Sequence, residues 1–285
     1  MITENMRGLI KNGATIRAMF EEGKELARKY GKENVYDFSL GNPNVETPEE
    51  IKKLICEIVS EEDSLNLHGY MSNSGYEDVR KTIANSINKK YELNIDEQSI
   101  VMTCGAAGGL NIIFKSILEE GDEVIVFAPF FGEYSNYIKN FNGKEVIAST
   151  EENTFLPDVE DLKRNITERT KAVIINSPNN PTGVIYSSKV IEDICFVLKQ
   201  KQLEYNNDIY LIADEPYREL VYDDTDVPYI FNYYDNSFVC YSYSKSLSLP
   251  GERIGYVAIN NNMNDFEEMT AALSIANRIL GFVNA

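Results

Sequence analysis

Lys245 lies in a stretch whose residue types could do chemistry, YSYSKSLSLPGERIGYVAI, which runs from Tyr241 to Ile259. A lysine in a polar turn is usually a solvated surface residue. It becomes a nucleophile or a general base when its surroundings lower its pKa. Arg253 follows a Pro-Gly break, and its planar guanidinium suits two phosphate oxygens, although a surface salt bridge is the simpler role. The function of Lys245 therefore depends on what other elements place beside it.

Three further segments place unusual residues after strand-like runs. In TCGAAGGL, Thr103 to Leu110, small residues let the backbone approach a ligand, and the helix that follows offers N–H groups to a phosphate. In NSPNNPTGVIY, prolines and a glycine fix a rigid loop that holds Asn180 at a strand end. In ADEPYREL, Asp214 ends a buried apolar run, where a carboxylate is costly unless a cation or donor meets it. A turn without a ligand is the alternative for the first two segments.

The elements that must position these residues alternate between strand and helix. Strand-like runs are predicted at 99–103, 123–127, 172–176, 209–213, 238–243 and 254–259. Helical patterns are predicted at 16–30, 48–59, 76–91, 109–119, 132–140 and 187–201. This order predicts an α/β fold with a mainly parallel sheet that helices cover on both faces. Ligands of such sheets bind at the carboxyl ends of the strands, which is where these segments lie.

The composition indicates a folded, acidic protein. Hydrophobic residues make up 43% of the 285 residues and charged residues 25%. The apolar runs are strand-sized and the N-terminal MITENMRGLIKNG does not resemble a signal peptide, so we expect a cytoplasmic location. The net charge of -18 argues against nucleic acid or an anionic membrane as a partner. Since His68 is the only histidine and no CxxC pair occurs, we expect no metal site.

Two other families share short patterns with this chain. Tyr241 and Lys245 form the YxxxK of the short-chain dehydrogenases, but that pair needs one face of a long helix, and FVCYSY is strand-like. Ser242 to Lys245 match the SxxK of the serine β-lactamases, but neither SDN nor KTG accompanies it. Both alternatives leave NNPTG and ADEPY unexplained.

The four segments, in this order, resemble the class I and II aminotransferases of the aspartate aminotransferase superfamily, fold-type I enzymes that use pyridoxal 5'-phosphate (PLP). NPTG, DEPY and SxSK followed by GxRxGY carry the resemblance. It implies a three-layer sandwich with a mainly parallel seven-stranded sheet. Lys245 corresponds to the lysine that forms the Schiff base with PLP, and Asp214 to the partner of the pyridine nitrogen. The other cofactor-binding residues that the resemblance implies are Tyr70, Gly105, Ala106, Ala107, Phe131, Asn180, Tyr217, Ser242, Ser244 and Arg253.

The resemblance also implies individual roles. Phe131 in APFFGEY corresponds to the aromatic residue that stacks on the cofactor ring, while Asn180 and Tyr217 hydrogen-bond its phenolic oxygen. Tyr70 corresponds to a catalytic tyrosine that reaches the phosphate of the neighbouring subunit, which implies a homodimer. Gly41 in SLGNP, with Asn180, corresponds to the residues that bind the substrate.

The implied activity is transfer of an amino group between an amino acid and a 2-oxo acid, as part of amino acid biosynthesis. The implied organisation is an N-terminal arm with part of the small domain at 1–45 and a large PLP-binding domain at 46–285. The C-terminal small domain is expected to be absent, and with it the arginine that grips the substrate carboxylate. A cysteine-S-conjugate β-lyase and a non-catalytic PLP-binding remnant are the alternatives.

Overall fold

The computed structural model describes residues 1–36, 38 and 41–281. The chain divides into two compact units, Met1–Glu46 and Thr47–Ala285. The first unit is built on helix α1, Glu4–Tyr30, which begins well before the predicted start at residue 16. Thr3 explains the earlier start, because its side chain caps the helix by accepting a hydrogen bond from the backbone N–H of Met6 at 3.3 Å.

The second unit contains a seven-stranded sheet in the order β1-β7-β6-β5-β4-β2-β3. The strands are β1 Ile100–Thr103, β2 Glu123–Phe127, β3 Lys144–Ala148, β4 Thr170–Asn176, β5 Tyr210–Asp214, β6 Ser237–Ser242 and β7 Gly255–Ile259. β7 is antiparallel to both of its neighbours, and the other neighbouring pairs are parallel. The predicted mainly parallel sheet is therefore confirmed.

Nine helices of the second unit are described, and several cover the sheet. They are α2 Glu49–Glu61, α3 Ser64–Leu67, α4 Glu77–Tyr91, α5 Gly105–Ile117, α6 Glu133–Asn140, α7 Val159–Asn165, α8 Ser188–Tyr205, α9 Tyr243–Ser246 and α10 Phe266–Ile279. Buried residues of α4, α7 and α8 form one core cluster with the sheet, and those of α5, α6 and α10 form another. The two clusters contain alternating residues of the same strands, so they lie on opposite faces of the sheet. Helices, sheet and helices therefore form the three layers of the sandwich. Within the described ranges, no helix is long and apolar enough to cross a membrane.

The apolar runs predicted six of the seven strands and missed β3. β3 has the sequence KEVIA at the edge of the sheet, and of its five residues only Ala148 is fully buried. Because an edge strand with one solvated side carries polar residues, it lacks the continuous apolar run of a central strand. The predicted helix at 109–119 begins earlier, at Gly105, so the glycine and alanine residues of TCGAAGGL form the first turns of α5.

A close backbone contact joins β7 to the start of α5. Gly255 stands opposite Thr103 of β1 and Ser242 of β6 in the sheet register. A Cβ atom on Gly255 would lie 2.3 Å from the carbonyl oxygen of Tyr241 and 2.8 Å from the Cα atom of Gly105. Both neighbours are backbone atoms, so this approach requires glycine at position 255.

Gly255→Ala is therefore expected to lower the free energy of unfolding by roughly 2–3 kcal/mol, because strand β7 must shift to relieve the contact. Urea unfolding followed by circular dichroism measures the effect. Gly251→Ala is the matched control, because nothing lies within 4 Å of a Cβ atom at that position. Equal unfolding midpoints for the two variants would show that strand β7 tolerates a methyl group at position 255.

Candidate active site

The carboxyl ends of β4, β5 and β6 lie side by side in the sheet. Asn176, the last residue of β4, stands opposite Asp214, the last residue of β5, and Asp214 stands opposite Cys240 of β6. β6 continues to Ser242, and the four-residue helix α9 follows directly with Lys245 inside it. The sheet register thus brings the DEPY and SxSK segments to one edge.

Asp214 is a buried carboxylate with one oxygen left unpaired. Its side chain is 6% exposed, and the hydroxyl of Tyr134 donates to its Oδ2 atom at 2.5 Å. Its Oδ1 atom is buried without a hydrogen-bond partner in the described part of the protein. Burial raises the pKa of Asp214 to about 6, the Tyr134 hydrogen bond opposes this rise, and the charge of Glu215 adds to it. A cationic donor at Oδ1 would remove most of the cost of this burial.

The NPTG loop is tied to the end of β5. The Nδ2 atom of Asn176 donates to the backbone oxygen of Asp214 at 2.6 Å, and its Oδ1 atom accepts from the backbone N–H of Asn180 at 2.6 Å. The side chain of Asn180 lies close enough to the phenol of Tyr217 to lower its pKa. Burial and the nearby Asp214 raise the pKa of Tyr217, so this phenol stays protonated. The two side chains predicted to bind one cofactor oxygen therefore lie together.

Lys245 is half-buried, and two serines whose hydroxyls contact each other precede it in the sequence. Ser242 caps α9 by accepting from the backbone N–H of Ser244 at 3.2 Å, and the two hydroxyl oxygens lie 2.7 Å apart. Burial and the positive charge of Arg253 lower the pKa of Lys245. A lowered pKa increases the fraction of neutral amine, which is the nucleophilic form. Tyr241 lies in strand β6 and Lys245 lies in helix α9. The two residues therefore do not share one helix, and the YxxxK arrangement of the short-chain dehydrogenases is excluded.

Arg253 lies against the N-terminus of α5. A Cβ atom on Gly105 would approach its Nη2 atom to 3.0 Å, and its Nη1 atom donates to the backbone oxygen of Pro250 at 3.0 Å. The first backbone N–H groups of an α-helix have no intrahelical acceptor, which here applies to Gly105, Ala106 and Ala107. No side chain caps α5 in their place. An arginine beside an uncapped helix N-terminus can bind a phosphate group.

The three remaining predicted site residues are exposed. Phe131 is 39% exposed and packs edge-on against Tyr134, with ring centroids 5.6 Å apart. Tyr70 is 91% exposed and lines a surface cavity with Arg278. Gly41 is exposed in the first unit, and Ser39 and Leu40 of its SLGNP motif lie outside the described residues.

Tyr134 and Asn176 contact Asp214 directly, and neither was among the predicted site residues. Tyr137 and Cys240 were not predicted either. Burial raises the pKa of both groups, and the nearby charge of Asp214 adds to the rise. A pattern in α6 could have identified Tyr134, because Tyr134 and Ile138 are four residues apart and both are buried. A buried tyrosine hydroxyl normally has a hydrogen-bond partner, and the partner of Tyr134 is Asp214.

Comparison with known proteins gives a family for this arrangement. The model of the family "Aminotransferase class I and II" matches residues 33–284. The chain is 32% identical over 266 residues to an aspartate aminotransferase of Pyrococcus horikoshii, covering 93% of this chain and 63% of that protein. It is 34% identical over 230 residues to a probable aspartate/prephenate aminotransferase of Aquifex aeolicus, covering 79% of this chain and 56% of that protein. The chain therefore spans roughly three-fifths of the length of these curated relatives.

Solved structures agree with this match. An aminotransferase from Eubacterium rectale is 43% identical with a TM-score of 0.94, covering 100% of this chain and 72% of that one. The aspartate aminotransferase of Thermus thermophilus with maleate is 27% identical with a TM-score of 0.80, covering 94% of this chain and 66% of that one. Proteins of this family use pyridoxal 5'-phosphate as their cofactor. On the family match, these relatives and the shared fold, the chain belongs to the class I and II aminotransferases.

Proposed function

We propose that this chain carries the cofactor site of an aminotransferase that moves an amino group between an amino acid and a 2-oxo acid, with Lys245 as the catalytic lysine. The observation that carries the proposal is the unpaired Oδ1 atom of buried Asp214. A buried carboxylate oxygen without a donor is rare in a folded protein, and a bound ligand or a catalytic role explains it. Here it lies at the carboxyl edge of the sheet, where ligands of α/β proteins bind.

The residues present fit pyridoxal phosphate. A protonated pyridine nitrogen would give Asp214 Oδ1 both the hydrogen bond and the positive charge that it lacks. Arg253 and the uncapped start of α5 would hold the phosphate, together with Ser242 and Ser244. Asn180 and Tyr217, whose side chains lie close together, would hold the phenolic oxygen. Each polar group of the cofactor therefore has a complementary group at this edge.

The chemistry of the side chains follows from their charges. When bound, the cofactor ring accepts the electron pair that the substrate α-carbon releases with its proton. Asp214 keeps the ring nitrogen protonated by placing a negative charge beside it. The Nζ atom of Lys245, with its pKa lowered by burial and by Arg253, takes the α-proton as a base and returns it as an acid. Tyr217 and Asn180 orient the ring oxygen, so that the reacting bonds keep a fixed position relative to Lys245.

The proposed substrates are an amino acid and a 2-oxo acid. The curated relatives named above act, by their names, on aspartate or on aspartate and prephenate, and another similar structure is an alanine aminotransferase of Pyrococcus furiosus. Gly41 and Asn180 are the proposed contacts to the substrate. As the family resemblance implies, Gly41 would contribute a backbone N–H and Asn180 a side-chain amide, and both are donors that a carboxylate accepts. Such contacts recognise the α-carboxylate shared by all amino acids, so they do not select a side chain.

A panel of amino acids is expected to identify the donor. The chain, and any longer form of the protein, is loaded with pyridoxal phosphate and mixed with aspartate, alanine, aromatic and branched-chain amino acids. A donor converts the cofactor to its amino form, seen as a change in absorbance, and releases one 2-oxo acid per site. Pyruvate released continuously from a cysteine S-conjugate, without an amino acceptor, would instead identify a β-lyase. Cofactor binding with no spectral response to any amino acid would identify a non-catalytic protein.

Lys245→Ala is expected to abolish covalent attachment of the cofactor and to reduce turnover by at least about a thousandfold, because it removes both nucleophile and base. Borohydride reduction followed by mass spectrometry measures the attachment. Lys189→Ala is the control, since Lys189 is an exposed lysine paired with Asp193 on α8. Cofactor still trapped on the Lys245→Ala protein would assign the covalent bond to another lysine.

We further propose a homodimer in which Tyr70 reaches the neighbouring site. Tyr70 is 91% exposed, as expected for a side chain that a second subunit covers. Apolar side chains on α2 are exposed as well, namely Leu54, Ile55, Ile58 and Val59. Exposed apolar residues of this kind favour a protein interface.

We also propose that the protein is located in the cytoplasm. Its four cysteines are free, namely Cys56, Cys104, Cys195 and Cys240. Free cysteines are typical of the reducing cytoplasm.

Mixing two inactive variants tests the shared site. In a dimer of Tyr70→Ala with Lys245→Ala, one of the two sites carries both substitutions and the other carries neither. Activity is therefore expected to recover to roughly a quarter of the wild-type level in a random mixture, because half of the dimers then hold one intact site. Leu203→Ala replaces Tyr70→Ala in the control mixture, since Leu203 is an exposed residue on α8. Failure of the first mixture to recover activity would place Tyr70 in its own subunit's site.

A further inference from the structure

Tyr134 connects the two groups that are proposed to hold the cofactor ring. It belongs to α6, its side chain is 1% exposed, and its hydroxyl donates to Asp214 Oδ2 at 2.5 Å. Its ring packs edge-on against Phe131 at an interplanar angle of 83°. Phe130 lies on another side, nearly parallel to the ring, with centroids 6.4 Å apart. One side chain therefore contacts both the carboxylate and the aromatic residue proposed to stack on the cofactor.

The hydrogen bond decides which carboxylate oxygen is available. Because Tyr134 occupies Oδ2, the oxygen without a partner is Oδ1. A carboxylate without such a restraint can rotate or take up a proton, and a protonated carboxyl group no longer attracts a cationic ring nitrogen. The restraint acts over a long sequence distance, since the two residues are 80 positions apart.

The other titratable groups around Asp214 do not replace this hydrogen bond. Glu215 follows it in the chain, and its charge raises the pKa of Asp214. Tyr137 of α6, Tyr217 of the turn and Cys240 of β6 also lie near Asp214, and the charge of Asp214 helps to raise the pKa of each. All of these groups are neutral or negative at neutral pH, so none of them stabilises the ionised carboxylate by its charge.

We propose that Tyr134 is a positioning residue that keeps Asp214 ionised in the cofactor-free protein and directs its Oδ1 atom to the pyridine nitrogen. This inference rests on the proposed function, because it takes pyridoxal phosphate as the ligand. The hydroxyl of Tyr134 acts through its hydrogen bond to Asp214. Its loss therefore changes how cofactor affinity depends on pH, as well as the affinity itself.

The direction of the pH effect follows from the pKa of Asp214. The cofactor-free protein holds Asp214 ionised above a pKa of about 6, so cofactor affinity falls as the pH drops through that value. Tyr134 lowers this pKa, so Tyr134→Phe moves the fall to higher pH. At pH 7 the dissociation constant is expected to rise roughly tenfold or more, because a hydrogen bond to a charged group is lost. At pH 9, where Asp214 is ionised in both proteins, the difference is expected to shrink.

Two measurements on the full chain test the proposal. The dissociation constant of pyridoxal phosphate is measured from pH 5 to pH 9, and the Asp214 carboxyl of the cofactor-free protein is titrated by carbon-13 NMR. Tyr234→Phe is the matched control, because Tyr234 is also buried and its hydroxyl donates to the backbone oxygen of Ile209, at the other end of β5, at 2.8 Å. The control loses one buried hydrogen bond and is expected to keep the wild-type pH midpoint.

A midpoint moved to higher pH in Tyr134→Phe alone supports the inference, as does the absence of any further effect of Tyr134→Phe in an Asp214→Asn protein. Equal midpoints in Tyr134→Phe and Tyr234→Phe would overturn it. If Tyr134→Phe does not fold, a fluorotyrosine at position 134 is a stronger donor and must move the midpoint to lower pH. If the wild-type protein does not bind pyridoxal phosphate, the proposed function fails, while the NMR titration still decides whether Tyr134 controls Asp214.

Discussion

Burial of the Asp214 carboxylate is the constraint on which the site depends. β5 lies in the interior of the sheet, between β4 and β6, so its last side chain is enclosed by protein and not by water. Leaving a charged oxygen unpaired there costs free energy, and this cost raises the pKa of Asp214. Neighbouring groups reduce the cost without removing it, since Tyr134 pairs one oxygen and leaves the other. The protein is thus less stable than it could be at the point where a cationic ring nitrogen would stabilise it most.

The adjacent Glu215 shows how this fold pairs a buried carboxylate with a cation, although burial still raises the pKa of Glu215. Arg218 pairs with both of its oxygens, and it also donates to the backbone oxygens of Val227 at 2.8 Å and Pro228 at 2.9 Å. Its guanidinium carbon lies 5.2 Å from the ring centroid of Tyr91 and 5.1 Å from that of Tyr229. This network uses Arg218 fully and fixes the turn after β5. The two adjacent acidic residues therefore differ, because both oxygens of Glu215 are paired, whereas Oδ1 of Asp214 has no partner in the described part of the chain.

Much of this arrangement could be predicted from local sequence. The run IYLIA places Asp214 at a strand end, and GAAGG and PGERIGY place a helix N-terminus and an arginine beside the lysine. Contacts between distant segments could not be predicted, because periodicity does not reveal them. Tyr134 and Asp214 meet through packing of α6 on the sheet, and Arg253 reaches Gly105 because Gly255 allows two backbones to touch. The edge strand β3 was not predicted for another reason. Its partly solvated sequence KEVIA lacks the continuous apolar run of a buried strand.

Local charge explains how an acidic protein can attract an anionic cofactor. The chain carries a net charge of -18, yet Lys245, Arg253 and the N-terminus of α5 gather positive charge at one edge of the sheet. Screening limits the distant carboxylates to weak repulsion at physiological salt, while these groups act at contact distance. The same cluster lowers the pKa of Lys245 through Arg253. A bound phosphate group would offset part of that effect, because its negative charge opposes the influence of Arg253 on Lys245.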